Sequence, residues 1–256
     1  MTNHKNTKNK HDLTDFGFES VSRDEKQGRV REVFDSVADR YDLMNDIMSA
    51  GLHRVWKRLT VAKSGLRSGD VALDVAAGSG DLSLGLARQV GPGGLVYVTD
   101  INARMLALGR DRLINAGQVG NVHFLQANAE QLPFRSGTFD CVSIGFGLRN
   151  VTDKEAALAS TLRVLKPGGR LLILEFSKPR LKLLESLYDF YSLQVLPWLG
   201  QRILNDADSY RYLAESIRRH PDQDALKELM IQQGFERCEY FNFSGGIVAL
   251  HLGYRI

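Results

Sequence analysis

The sequence predicts an α/β protein built on a mostly parallel sheet, and three observations carry that prediction. From residue 71 to 175, short apolar runs alternate with amphipathic ones, the rhythm of parallel strands joined by crossover helices. The run 71–81 takes an apolar strand into a turn holding Gly78 and Gly80, and an amphipathic stretch follows from Leu82. Finally, two apolar runs at 235–243 and 246–254 flank Ser244-Gly245-Gly246, the pattern of an antiparallel hairpin closing the sheet.

Composition narrows the function classes. The 256 residues are 43% hydrophobic and 25% charged, ordinary for a globular protein, and long enough for one large domain with appendages. A net charge of +3 does not point to nucleic acid. Cys141 and Cys238 lie in apolar strand-like runs and read as reduced core residues. The six histidines form neither an HExxH pair nor a Cys/His cluster, so no metal site is expected. Residues 1–10 are polar and basic with no apolar segment of a signal peptide, and no run nears the roughly 20 apolar residues of a membrane span. The expected location is cytoplasmic, at most peripheral to the inner face of the cell membrane.

In chain order, residues 1–24 lack periodicity and are expected to be a disordered tail. Residues 25–256 are expected to form a single domain. It opens with a helical layer at 25–68, in which Val30, Val33, Phe34, Val37, Ala38 and Tyr41 recur at helical spacing. The alternating run supplies strands at 71–75, 95–99, 122–125, 139–144 and 170–175. Asn102 is placed to cap the helix after the second strand and Gly117 to end it. Thr152 with Glu155 reads as a capping box for the helix after the fourth. Residues 179–222 break the rhythm as a helical insertion able to cover the carboxyl edge of the sheet, with Tyr188, Phe190 and Tyr191 as an aromatic stripe. A helix at 223–233 and the hairpin complete the chain.

Two ligands compete for the glycine turn. A dinucleotide site wants G-x-G-x-x-G, but Ser83 stands where the third glycine belongs. S-adenosylmethionine fits better, because its sulfonium is cationic and tolerates the bracketing acids Asp74 and Asp81, whereas a pyrophosphate does not. Asp100, ending the second strand, is placed to accept both ribose hydroxyls under either reading.

The run Asp74-Val75-Ala76-Ala77-Gly78-Ser79-Gly80 resembles the first motif of class I methyltransferases, D-x-G-x-G-x-G, with Ala76 in place of the first glycine. Five further stretches resemble the ubiquinone/menaquinone biosynthesis C-methyltransferases: 34–42 (FDSVADRYD), 126–130 (QANAE), 146–150 (FGLRN), 206–212 (DADSYRY) and 215–221 (ESIRRHP). The similarity spans residues 27–256, and the last three motifs are the more specific.

The resemblance implies a class I methyltransferase Rossmann-like fold and S-adenosyl-L-methionine as methyl donor. It implies cofactor binding through Asp74, Gly78, Ser79 (where Thr is usual), Gly80, Asp100, Asn128 and Ala129. Gly145 stands where the family commonly has Ser, leaving only backbone for a contact there. It implies C-methylation of a lipid-tailed quinol, a polyprenylated benzoquinol or demethylmenaquinol. Arg149 and Asn150 would orient the phenolic oxygen, with Tyr41 and His220 in second roles. The tail would enter the insertion, whose residues 181–199 would rest on a membrane surface. A homodimer or a biosynthetic complex is compatible with it; nucleic acid is not expected.

Several of these residues also have purely structural readings. Asp74 could receive hydrogen bonds from the turn, Ser79 could cap the next helix, Asn128 could form an Asx turn, and Arg149 could pair with a carboxylate. The competing functions are an O- or N-methyltransferase of a small soluble metabolite and an NAD-binding or non-catalytic nucleotide-binding protein.

Overall fold

A computed structural model describes residues 13–180 and 206–256. Five strands follow the predicted rhythm: β3 (Val71–Val75), β4 (Leu95–Asp100), β5 (Val122–Gln126), β6 (Phe139–Gly145) and β7 (Leu165–Phe176). The hairpin adds β8 (Glu236–Phe243) and β9 (Val248–Tyr254). Together they form one seven-stranded sheet in the order β5-β4-β3-β6-β7-β9-β8. All pairings from β5 to β7 are parallel, and β9 joins β7 and β8 antiparallel. Ala72, Leu73, Val75, Val142, Ile144 and the β7 run Leu171–Leu174 are almost fully buried. Such strands are covered on both faces and therefore read as apolar runs.

Chain order reverses at β3: the next strand, β4, lies on one side of it and β6 on the other. A crevice opens beyond the carboxyl ends of the strands at such a switch point. The crossover helices that hold it open are α4 (Asp81–Val90), α5 (Ala103–Asn115) and α6 (Lys154–Val164). Asn102 caps α5 as expected, its Oδ1 accepting from the Met105 N–H at 3.0 Å. The cap of α6 is Asp153, not Thr152. Its Oδ1 accepts from the Ala156 N–H at 2.9 Å, while Glu155 lies in the first turn.

The helical layer comprises α1 (Arg23–Val37), α2 (Tyr41–Ser49) and α3 (His53–Lys63). It is tied to the sheet by Trp56 on α3, whose ring lies 6.4 Å from Phe146, itself 4.9 Å from Phe176 on β7. The expected disordered tail is corrected for residues 13–24. Strands β1 (Leu13–Phe16) and β2 (Glu19–Ser22) pair antiparallel, and α1 begins at Arg23. Four-residue strands carry little pattern. What holds them is distant in sequence: Phe16 stacks on Tyr212 at 4.2 Å and carries the Arg29 guanidinium over its ring.

Of the insertion, residues 181–205 lie outside the described residues, and with them the stripe of Tyr188, Phe190 and Tyr191 and the expected membrane-facing helices. Its described part is α7 (Ala207–Arg219), capped by Asp206, whose Oδ1 accepts from the Ser209 N–H at 3.0 Å. Helix α8 (Gln223–Gln232) then leads into the hairpin.

Candidate active site

A cleft opens at the carboxyl ends of β3, β4 and β6, roofed by α1 and α2. Of the sequence-selected residues, Tyr41, Gly78, Asp100, Asn128, Ala129 and Asn150 line it. Asp74, Ser79, Gly80, Gly145 and Arg149 stand behind its wall. Phe34, Met105, Phe146 and Val151 give the lining its apolar character, and its charged groups are Asp100, Glu130 and Arg31.

The turn after β3 turns its N–H groups inward. Ala77 N–H donates to Thr99 O, Gly80 N–H to Ala77 O, and Gly78 N–H to the Asp100 carboxylate at 2.8 Å. These three donors are engaged within the protein, one of them by the carboxylate that lines the cleft, and are not offered to a phosphate. Gly80 needs its φ of +79°, and a Cβ there would meet Leu113 at 2.7 Å, so α5 can approach only a glycine. Ala76, in place of the motif's first glycine, adopts φ +51°, and Phe146 after β6 adopts φ +57°. Each such non-glycine residue costs roughly 1–2 kcal/mol. Both sit at the ends of the two strands that flank the cleft, where strain commonly accompanies a binding site.

Asp100 receives two backbone N–H groups, Gly78 on Oδ2 and Asn102 on Oδ1, both at 2.8 Å. A carboxylate oxygen takes more than one donor, so both retain acceptor capacity for a diol. Burial raises its pKa despite these donors. Asn128 both lines the cleft and forms an Asx turn, its Oδ1 accepting from the Glu130 N–H at 3.0 Å.

Asp74 is 1% exposed and holds the loop rather than a ligand. Its oxygens accept from Ser143 Oγ at 2.6 Å and Ser83 Oγ at 2.5 Å, joining β3 to β6 and α4. Burial pushes it up to about 6, against the pull of those hydroxyls. Ser83, in the place of the missing glycine, is therefore occupied with Asp74. The cap position of α4 is Gly80, and the Ser79 hydroxyl faces α2 instead. There it donates to Asp42 at 3.4 Å and accepts from Arg112 at 3.3 Å. Arg112 also pairs with Asp42 and Asp81, and Lys57 meets Asp81 at 2.7 Å, locking the helical layer to the turn. Gly145 has a packing reason: a Cβ there would lie 2.5 Å from Leu82 Cδ1.

Arg149 is 6% exposed, and its guanidinium donates to Glu175 Oε1 at 2.8 Å and to the Phe146 carbonyl at 2.5 Å. Glu175 in turn accepts from the backbone N–H groups of Arg149 and Phe176. Asn150 faces the cleft, and its Oδ1 accepts from the Tyr212 hydroxyl of α7 at 3.0 Å. With the oxygen engaged, its amide N–H groups are what it offers a ligand. Tyr41 lies beside Gly78, its phenol pushed up to about 12 by burial, so it stays protonated and can donate.

Sequence reasoning missed Met105, Glu130 and Arg31 as cleft residues and took Phe34 only as a helix-face residue. The 34–42 and 126–130 motifs were the available signals for Phe34 and Glu130; nothing local marks Met105 or Arg31. Among the described residues no group of His, Cys, Asp or Glu is arranged to hold a metal.

The cleft suits S-adenosylmethionine: two carboxylates against one cation for a sulfonium, an acceptor pair at Asp100 for the ribose, and apolar walls. Comparison with known proteins agrees. The model of the ubiE/COQ5 methyltransferase family matches residues 21–255. The ubiquinone/menaquinone biosynthesis C-methyltransferase UbiE of Marinomonas sp. (strain MWYL1) is 61% identical over 242 residues, 94% of this chain and 96% of that protein. The protein of that name from Pasteurella multocida (strain Pm70) is 59% identical over 244 residues, 95% and 91% of the two chains. Among solved structures, a SAM dependent methyltransferase from Aquifex aeolicus superposes with a TM-score of 0.58 at 17% identity, covering 81% of this chain and 94% of that one. Phosphoethanolamine N-methyltransferase 2 of Haemonchus contortus, in complex with S-adenosyl-L-methionine, gives 0.58 at 16% identity, covering 78% and 52%. These two share the fold. The chain belongs to the ubiE/COQ5 methyltransferase family.

Proposed function

We propose that this protein methylates a ring carbon of a lipid-tailed quinol, a polyprenylated benzoquinol or demethylmenaquinol, in ubiquinone and menaquinone biosynthesis. The observation that carries the reading is the near-full-length identity with C-methyltransferases named for those pathways. An acidic, apolar-walled cleft, with the Ala77, Gly78 and Gly80 N–H groups engaged within the protein, supports the methyl donor over a dinucleotide.

S-adenosylmethionine supplies an electrophilic methyl on a sulfonium, which departs as a neutral thioether. Because the donor is already activated, the protein's task is alignment and control of one proton. Asp100 holds the ribose, with Asn128 and Ala129 beside the adenine. Asn150, its oxygen fixed by Tyr212, turns its amide N–H groups to the phenolic oxygen beside the reacting carbon. The protonated Tyr41 hydroxyl donates from the opposite wall. Both favour the ionised oxygen, which raises electron density at the neighbouring carbon. Arg149 acts through the loop: paired with Glu175, it fixes the backbone from which Asn150 projects. The released proton passes to water in the open cleft.

The prenyl tail belongs to the same reading: the insertion 179–222 receives it and the protein rests on a membrane surface. Among the described residues no helix is long and apolar enough to cross a membrane. Quinone analysis of cells lacking the protein tests the proposal. Demethylated precursors should accumulate and should disappear on complementation; a normal quinone profile would refute it.

A further inference from the structure

The loop 149–154 divides two spaces. Asn150, Val151 and Thr152 line the cleft, whereas Arg149 and Lys154 line a second, narrow cavity of about 20 Å³. That volume holds one water-sized atom. Lys26, Tyr212, Ser216 and His220 complete most of its wall.

The cavity has far more hydrogen-bond donors than acceptors. Lys26 is 2% exposed, and its ammonium donates to the Val151 carbonyl at 3.2 Å. The Lys154 ammonium donates to that same oxygen at 3.4 Å. Two ammonium groups thus share one acceptor, although each carries three donors. Arg149 Nε is buried with no partner, and so are both ring nitrogens of His220, a residue 3% exposed. Of the nearby acids, Glu175 is held by Arg149 and Glu130 accepts from the Asp153 N–H; Asp15, an exposed wall residue on the β1–β2 hairpin, and Asp153 offset the lysines in part. Arg219 adds a further cation at the wall. A neutral His220 ring has one donor nitrogen; that N–H, Arg149 Nε and the spare ammonium protons are buried donors left unmatched, which is costly, and a negative charge among them would answer them together.

We propose that this cavity is a binding site for a single anionic atom, a halide ion or the ring oxygen of a bound quinol opposite the one that Asn150 faces. The second source rests on the quinol reading; the first does not. Titration behaviour agrees with the geometry. Burial and the neighbouring Lys154 press Lys26 down to about 8. Burial lowers Lys154, and burial with Lys154, Arg149 and His251 lowers His220 well below the usual histidine range. An anion would relieve all three, so it binds with proton uptake and more tightly at lower pH. Because Arg149 and Tyr212 are wall residues, its charge bears on the loop that carries Asn150.

Thermal unfolding of the full chain in sodium chloride, bromide or gluconate at constant ionic strength, at pH 6 and pH 8, tests the site, together with anomalous diffraction from bromide-soaked crystals. The expected result is a saturable rise in Tm with either halide, absent with gluconate and larger at pH 6, and a bromide peak beside His220. Lys154→Gln should abolish the rise; should that variant fail to fold, the bromide peak in the unaltered protein decides. Methyl-transfer kinetics with bromide separate the two sources. A raised quinol KM at unchanged kcat places the substrate oxygen in the same position, and unchanged kinetics with bromide bound leaves the site to an inorganic anion. Equal Tm values in halide and gluconate at both pH values, with no anomalous peak, would overturn the proposal.

Discussion

The Arg149 guanidinium lies 2.8 Å from the Glu175 carboxylate, and both side chains are almost entirely out of solvent, 4% and 2% exposed. This pair fixes the loop from which Asn150 reaches the cleft. Breaking it from one side leaves a buried charge alone, a loss of roughly 3–5 kcal/mol. Arg149→Ala should therefore lower both Tm and turnover, with affinity for S-adenosylhomocysteine kept within a few-fold. Arg149→Ala combined with Glu175→Gln should recover part of the stability and little of the turnover. An unchanged Tm with turnover lost would instead mean that Arg149 touches the substrate directly.

Tyr212 acts one step further out, as the donor that orients Asn150. Tyr212→Phe removes one hydrogen bond, about 1 kcal/mol of stability. Turnover should fall roughly 5–30-fold, as expected when a single orienting contact of 1–2 kcal/mol is lost, with little change in cofactor affinity. Asn150→Ala should reach at least the same loss, and the double variant should be no worse than Asn150→Ala alone. Additive losses would show that the two side chains work independently.

Asp100 is the only sequence-selected carboxylate that lines the cleft, because Asp74 is sealed behind it. Asp100→Ala should weaken S-adenosylhomocysteine binding at least 10-fold in calorimetric titration, about 1.4 kcal/mol or more. Unaltered affinity would remove the ribose contact from the account.

Asp74 gives a pH signature. Its folded-state pKa of about 6 lies above the ordinary 3.8, so the folded protein keeps a proton that the unfolded chain has released. Its contribution is full below pH 4 and declines as pH rises to about 6, by up to roughly 3 kcal/mol, then levels off. His251, pushed down to about 4 by burial, acts in the opposite sense over a similar range. The Asp74 contribution is thus read as the difference between the unaltered protein and Asp74→Asn in denaturant titrations across pH 4–7. A difference independent of pH would contradict the buried, proton-holding carboxyl.

The alternating strands, the closing hairpin and the cap at Asn102 were legible because local patterning and tertiary structure agree there. Asp100, which ends β4, and Asn150, in the loop after β6, line the cleft where their place after strand-like runs put them. Other features depend on contacts far apart in sequence. Hairpin β1–β2 exists because Phe16 meets Tyr212, and Gly145 is glycine because Leu82 fills the space. The partner of Arg149 lies 26 residues away near the end of the next strand, β7, with no local pattern to announce it. The cleft residues Met105 and Arg31 come from helices whose facing is fixed only when the layers pack.

The most direct test of the central claim is transfer of a trideuterated methyl group from S-adenosylmethionine to a demethylated quinol by the purified protein. Mass spectrometry and NMR of the product would locate the label. The label is expected on a ring carbon, with one S-adenosylhomocysteine formed per methyl. Label on oxygen, or no transfer while S-adenosylmethionine is bound, would contradict the claim.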